Sequence, residues 1–148
     1  MEQKKIKGKI INHDSSYIGE IYFNEDIVDI KKNNFDDFDI IIVLGFIYLH
    51  CHVGNGFDVM DGSNAIMEMS KYHLKHGTTS IMPTTWTNTL ENTISALQGF
   101  NDINIDNPNI LDVHLEGPFI NPNKLGAQPN HTQKPSLDLI NMSIIQIG

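Results

Sequence analysis

Residues 40–52 read Ile-Ile-Ile-Val-Leu-Gly-Phe-Ile-Tyr-Leu-His-Cys-His, and the first eight form an apolar run broken only by Gly45. Such a run fits a strand buried on both faces, as in a parallel sheet covered by helices. In a strand, side chains at i and i+2 share a face. His50 and His52 are therefore expected to point the same way at the end of this strand, with Cys51 pointing the other way. Two neutral imidazoles so placed can chelate a borderline metal such as zinc or iron. Cys51 reads as a small buried packing residue rather than a ligand.

Downstream, helical and strand patterns alternate. Ser63 reads as the N-cap of a helix over 64–76, with Ile66, Met67, Met69, His73 and Leu74 on its apolar face and Gly77 ending it. Thr78–Met82 reads as a second strand, stopped by Pro83. Asn88, with Glu91 three residues on, resembles a capping box, and Leu90, Ile94, Leu97 and Phe100 supply the stripe of a second helix. Ile110–Leu115 reads as a third strand, left sharply at Gly117-Pro118, and Pro135-Ser136 opens a further helix. A β-α-β-α-β order implies a parallel sheet with right-handed crossovers.

Upstream of residue 40 the pattern differs. Residues 6–11 and 17–23 read as a β-hairpin turning at His13-Asp14-Ser15-Ser16, and 31–39 as a polar loop. The expected organisation is a β-rich segment over 1–39 and an α/β unit over 40–148.

Bulk properties narrow the function classes. The 148 residues suffice for one domain with a sizeable core. Net charge is −8, from 10 basic and 18 acidic residues, which disfavours non-specific binding to nucleic acid or anionic membranes. The lysines at 4, 5, 7, 9, 31 and 32 read as solvated surface. Cys51 is the only cysteine, so no intramolecular disulfide can form and a reducing compartment is the natural home. The first residues lack the apolar core of a signal peptide, and Ile40–Leu49 is too short to span a membrane. A cytoplasmic location is expected.

Three groups of polar residues each follow one of three successive expected strands: His50 and His52, then Thr84-Thr85, then Glu116. One rim that collects a His pair, hydroxyls and a carboxylate is the layout of a barrel-type metal site. His114 could share a face with Glu116, but reads better as a hydrogen-bonded core histidine.

Taken in order, five motifs resemble one family. Gly45-Phe46-Ile47-x-Leu49-His50-x-His52, His76-Gly77-Thr78-Thr79, Pro83-Thr84-Thr85, His114-Leu115-Glu116-Gly117-Pro118-Phe119 and Gly126-Ala127-Gln128 are similar to the N-acetylglucosamine-6-phosphate deacetylases of the amidohydrolase superfamily. The resemblance runs from about residue 44 to 131. It implies a truncated (β/α)8 metal-dependent hydrolase barrel with about three of its eight strands, preceded by part of a small β-sandwich. It implies a divalent metal, zinc or iron, that helps water attack the acetamide of an amino-sugar phosphate. Glu116 matches the family's metal-binding glutamate, and His50 and His52 match a pair that binds a second metal in some members. Ala127 and Gln128 match a loop that contacts the substrate. Full-length members are expected to be homodimers. Two further metal histidines and the general-base aspartate are expected on later strands, beyond residue 148, so no catalytic residue is assigned within the chain.

The chain departs from the family pattern at Leu44, Tyr48 and Val53, where Pro, Asp and Gly are usual. Position 48 should share a face with 50 and 52, where a tyrosine would replace a supporting carboxylate. Val53 would be strained if its backbone needs a positive φ. Two rival readings are an amidohydrolase acting on cyclic amides and a degenerate, non-catalytic remnant. The first is countered by the Gly117-Pro118-Phe119 and Gly126-Ala127-Gln128 motifs.

Overall fold

The computed structural model describes the backbone of residues 2–34, 38–103 and 110–145, and side chains as far as residue 142. The chain divides into two compact units, Met1–Leu44 and Gly45–Gly148.

The first unit is a four-stranded sheet. Strands β1 (Lys4–Ile11), β2 (Ser16–Phe23), β3 (Ile27–Lys32) and β4 (Ile41–Val43) lie in the order β3-β2-β1-β4. The expected hairpin is present, and Asn12 N–H donates to the Ser15 carbonyl at its turn (2.8 Å). Its antiparallel register sets Ile6 opposite Ile21, Lys5 opposite Tyr22 and Lys7 opposite Glu20. Opposed residues share a face. The buried Ile10 and Ile21 therefore lie on one side, while Lys5 bonds Glu20 on the other (2.8 Å).

Two expectations change in this unit. β3 occupies Lys31 and Lys32, which read as loop from their polarity; residues 35–37 of that expected loop lie outside the described residues. The apolar run of 40–47 is not one strand buried on both faces. Ile41–Val43 pair in parallel with Lys9–Ile11 and belong to the first unit, whereas Phe46 and Ile47 belong to the second. Ile41, Phe46 and Ile47 are 61–63% exposed. An apolar run records that a strand is suited to burial, not what covers it.

The second unit is α/β. β5 (Phe46–Cys51) pairs in parallel with β8 (Thr78–Pro83), and α1 (Ser63–Lys75) lies between them in sequence. A two-residue ribbon, β6 (Val53–Gly54) with β7 (Phe57–Asp58), precedes α1 and turns at Asn55-Gly56, both at positive φ (53° and 81°). Asn-Gly is the sequence signature of such a turn. α2 (Leu90–Asn101) follows β8, and α3 (Leu137–Ile145) realises the helix expected after Ser136.

Helix ends differ from the sequence reading in detail. Ser63 is the first residue of α1 rather than its cap; Gly62 holds the cap position and offers no side chain. α2 is capped by Thr89, whose Oγ1 accepts from Asn92 N–H (3.2 Å), one residue later than expected. The Asn88 carboxamide oxygen instead bonds Thr89 N–H and the Asn92 side chain.

The core of this unit comprises Cys51, Val59, Ile66, Met69 and Ile81, with Phe57, Phe100, Ile103 and Ile110 packed against it. Ile66 and Met69 are the buried part of the α1 stripe, while Leu74 is half exposed.

Ile110–Leu115 does not form a continuous strand. It meets β8 and the residue after it at two points, Ile81 with Ile110 and Thr84 with His114, bonding through Leu111 N–H to Ile81 O and His114 N–H to Pro83 O (both 3.0 Å). Between them Asp112 takes the Val113 N–H on its own carboxylate (2.7 Å), which diverts that donor from the ladder.

Candidate metal centre

β5 and the segment after Ile110 place three donor atoms in a small triangle. His50 Nε2 and His52 Nε2 are 3.0 Å apart. Glu116 Oε2 lies 3.4 Å from the first and 3.0 Å from the second. Ligands about 2.0–2.1 Å from a tetrahedral zinc are about 3.3 Å from one another, so the triangle has the edge lengths of one face of such a site.

The hydrogen-bonding state supports that reading. Glu116 Oε2 is buried and makes no aligned hydrogen bond, despite lying within ion-pair distance of both rings. A buried carboxylate oxygen without a partner is costly, and a cation among the three donors removes the cost. His52 Nδ1 lies 2.9 Å from the Thr84 carbonyl oxygen. A carbonyl only accepts, so Nδ1 carries the proton and Nε2 offers its lone pair to the triangle.

Thr84 also joins the two strand ends. Its N–H donates to the Cys51 carbonyl (2.8 Å), and its Oγ1 accepts from Cys51 N–H (2.9 Å). Trp86, two residues on, stacks on His52 with centroids 5.7 Å apart. His114 sets its ring edge-on to His50 at 5.0 Å, so it lines the site through His50 and is not one of the three donors. The site opens on the His50 side, whose ring is 50% exposed against 23% for His52.

Sequence reasoning named the three donors but missed how they are held. The Thr84 carbonyl belongs to the main chain and has no residue-type signal. Trp86 did carry one: it is the only tryptophan and adjoins Pro83-Thr84-Thr85.

Cys51 faces away from the triangle, as expected. Its Sγ lies 3.3 Å from His73 Nε2 on α1, and burial pushes its thiol pKa up.

Tyr48 departs from expectation. β5 carries an irregularity in which Tyr48 pairs with Ile81 but Cys51 with Pro83, three residues on one strand against two on the other. An extra residue reverses the alternation of faces. Tyr48 accordingly meets the His73 ring at 5.4 Å, on the Cys51 side and away from His50 and His52. Val53 is not strained: it pairs with Asp58 in β6, and Asn55 is the one described non-glycine residue with positive φ.

The loop containing Gly126, Ala127 and Gln128 is fixed by a side chain. The Gln128 carboxamide oxygen accepts from Thr87 N–H at 2.7 Å, while Ala127 is exposed.

A His-x-His pair at the end of a parallel strand, with a glutamate carboxylate brought against it, is a donor arrangement of the kind that metal-dependent hydrolases use. Comparison with known proteins narrows this. No family model matches the chain. It is 34% identical over 105 residues to N-acetylglucosamine-6-phosphate deacetylase of Bacillus subtilis, an alignment covering 66% of this chain and 26% of that protein. It is 32% identical over 130 residues to the Danio rerio enzyme of the same name, covering 83% and 30%. The crystal structure of N-acetylglucosamine-6-phosphate deacetylase from Thermotoga maritima superposes with a TM-score of 0.84 at 28% identity, over 94% of this chain and 39% of that one. The Mycobacterium smegmatis enzyme in complex with N-acetyl-D-glucosamine-6-phosphate shares the fold, with a TM-score of 0.82 at 17% identity, over 99% and 41%. The chain belongs to the N-acetylglucosamine-6-phosphate deacetylase family and matches its N-terminal part. It spans 26–30% of the length of these curated relatives.

Proposed function

We propose that the chain contributes part of a site that hydrolyses the acetamide of N-acetylglucosamine 6-phosphate to glucosamine 6-phosphate and acetate. The triangle of His50, His52 and Glu116 carries this reading, because it sets three lone pairs where relatives of that name share the scaffold. These residues would hold a divalent metal, zinc or iron. When bound, the metal polarises a carbonyl and lowers the pKa of water. The chain's own residues hold its ligands in place: Thr84 fixes the His52 tautomer, and Trp86 covers one ring face. The Ala127–Gln128 loop would meet the sugar.

We read the second unit as part of a (β/α)8 barrel and the first as part of a small β-sandwich. Phe46, Ile47 and Leu49 on β5 are 57–63% exposed, whereas Ile81 on β8 is fully buried. In a closed barrel every strand has two neighbours and a covering helix layer. No aspartate joins the donor triangle among the described residues. The 148-residue chain alone should therefore lack turnover, for want of a general base.

Acetate release from N-acetylglucosamine 6-phosphate tests the reading. With added zinc or iron, the chain alone should give none. Joined ahead of the unmatched remainder of the Bacillus subtilis enzyme, it should give turnover that Glu116→Ala abolishes. An inactive but folded chimera, or full turnover by the chain alone, would overturn the proposal.

A further inference from the structure

The loop after Thr84 runs beside residues 114–117, and the ladder between them stops in an unusual way. Thr85 N–H donates to the His114 carbonyl at 3.0 Å. In a parallel pair the bonds recur evenly, every second residue. The next donor, Thr87 N–H, would therefore take the Glu116 carbonyl. It takes the Gln128 side-chain oxygen instead, at 2.7 Å. Residues 116–117 meanwhile turn out of the ladder. Gly117 adopts φ +78°, and a Cβ there would run into the Thr87 side chain. The carboxylate of Glu116 comes to lie against His50 and His52.

We infer that Gln128 is a positioning residue for Glu116. Its carboxamide oxygen stands in for the main-chain acceptor that residue 116 no longer supplies. Thr87 N–H is buried with its residue, which is 1% exposed, so leaving it unpaired would be costly. With Gln128 in place, the segment can leave the ladder without orphaning that donor. Without it, the donor draws the Glu116 carbonyl back, and the carboxylate leaves the triangle. The chemistry required of position 128 is one acceptor oxygen at glutamine length. This inference rests on the metal-site reading for its consequence, but not for its geometry.

The experiment uses Co2+ alone as the probe, added to the 148-residue chain and to two variants. Gln128→Leu removes the acceptor; Gln128→Glu keeps an acceptor oxygen at the same length. Supports of metal ligands are typically worth about 10–100-fold in affinity. Gln128→Leu should weaken Co2+ binding by about tenfold or more and alter the visible spectrum of the bound ion. Gln128→Glu should restore both to within a few-fold. A general loosening of the fold would not be rescued selectively by the residue that keeps the oxygen. Equal Co2+ affinity and spectrum in Gln128→Leu and the parent chain would overturn the inference, as would equal loss in both variants.

If the parent chain shows no Co2+ binding dependent on His50 and His52, the metal reading fails by itself. Amide exchange then decides the positioning role. Loss of Thr87 N–H protection in Gln128→Leu, with retention in Gln128→Glu, sustains the substitution of one acceptor for the other. Unchanged protection in all three chains, or equal loss in both variants, refutes it.

Discussion

His52 Nδ1 and the Thr84 carbonyl oxygen lie 2.9 Å apart, a contact that ties the end of β5 to the residue just past β8 through one imidazole. The histidine's outer nitrogen is thereby committed to the scaffold, and its inner nitrogen to the triangle with His50 and Glu116. Metal binding at such a site needs unprotonated imidazole. Co2+ or Zn2+ should therefore bind the chain with the Nε2 lone pair of His52 as one ligand. His52→Ala should weaken binding at least as much as losing a supporting contact, about 10–100-fold. Isothermal titration of the two chains checks this, and equal affinities would remove His52 from the site.

Trp86 provides an optical readout of the same site. It is the only tryptophan, and it stacks on the His52 ring at 5.7 Å. A paramagnetic ion held by His52 Nε2 would lie near the stacked indole. Co2+ should quench the emission and saturate at one equivalent, whereas Zn2+ should leave most of the intensity. Quenching that persists unchanged in His52→Ala would show that the ion binds elsewhere.

Gly117 ties backbone conformation to donor geometry. Its φ of +78° disfavours any side chain, and the place of a Cβ is filled by Thr87. Gly117→Ala should destabilise the chain by about 1–3 kcal/mol and displace the adjacent Glu116. Denaturant unfolding and Co2+ titration should report both effects together. Gly56→Ala is the control: Gly56, in the turn between β6 and β7, also has positive φ (81°), but open space lies where its Cβ would stand. It should lose stability with little change in Co2+ affinity.

The sequence showed more of the site than of the scaffold around it. His50, His52 and Glu116 were legible because ligand chemistry restricts residue types and strand periodicity sets their spacing. Helices α1 and α2 were legible from stripes that bury Ile66, Met69 and Leu97. The division of residues 40–47 was not. Ile41–Val43 and Phe46–Cys51 have the same apolar character but pair with different sheets, and pairing partners are absent from local pattern. The third strand failed for a similar reason, since the Asp112 carboxylate competes for a ladder donor. The Thr84 carbonyl could not be read at all, because every residue has one.

Cys51 gives a prediction in pH. Burial raises its thiol pKa, so the folded chain retains the proton to higher pH than the unfolded chain does. The stability that goes with this is fully present below the unfolded thiol value of about 8.5 and is lost as pH rises through the folded value. Near neutral pH the thiolate is scarce and the group is shielded. Disulfide reagents should label Cys51 far more slowly in the native chain than in denaturant. A native rate equal to the denatured one would show that β5 does not hold Cys51 against α1 in solution.

Tyr48 supplies the last and most discriminating prediction. By simple alternation it would stand beside His50 and His52, at the position where the family resemblance implies a carboxylate. The register shift between Tyr48 and Cys51 sends it to the other face, against His73. A carboxylate placed there would approach the Val53 carbonyl and the Cys51 thiol, both of which lie within 3.4 Å of His73 Nε2, rather than the metal donors. Tyr48→Asp should therefore leave Co2+ affinity within about threefold, a difference of less than about 1 kcal/mol. It should also lower stability, because an aromatic edge contact worth about 0.5–1.5 kcal/mol is lost. The two effects separate the alternatives. If β5 were regular, the new carboxylate would join the triangle and tighten Co2+ binding by tenfold or more without the loss of the His73 contact. Tight binding in Tyr48→Asp would mean that the irregularity in β5 is absent in solution, and that residue 48 belongs to the site.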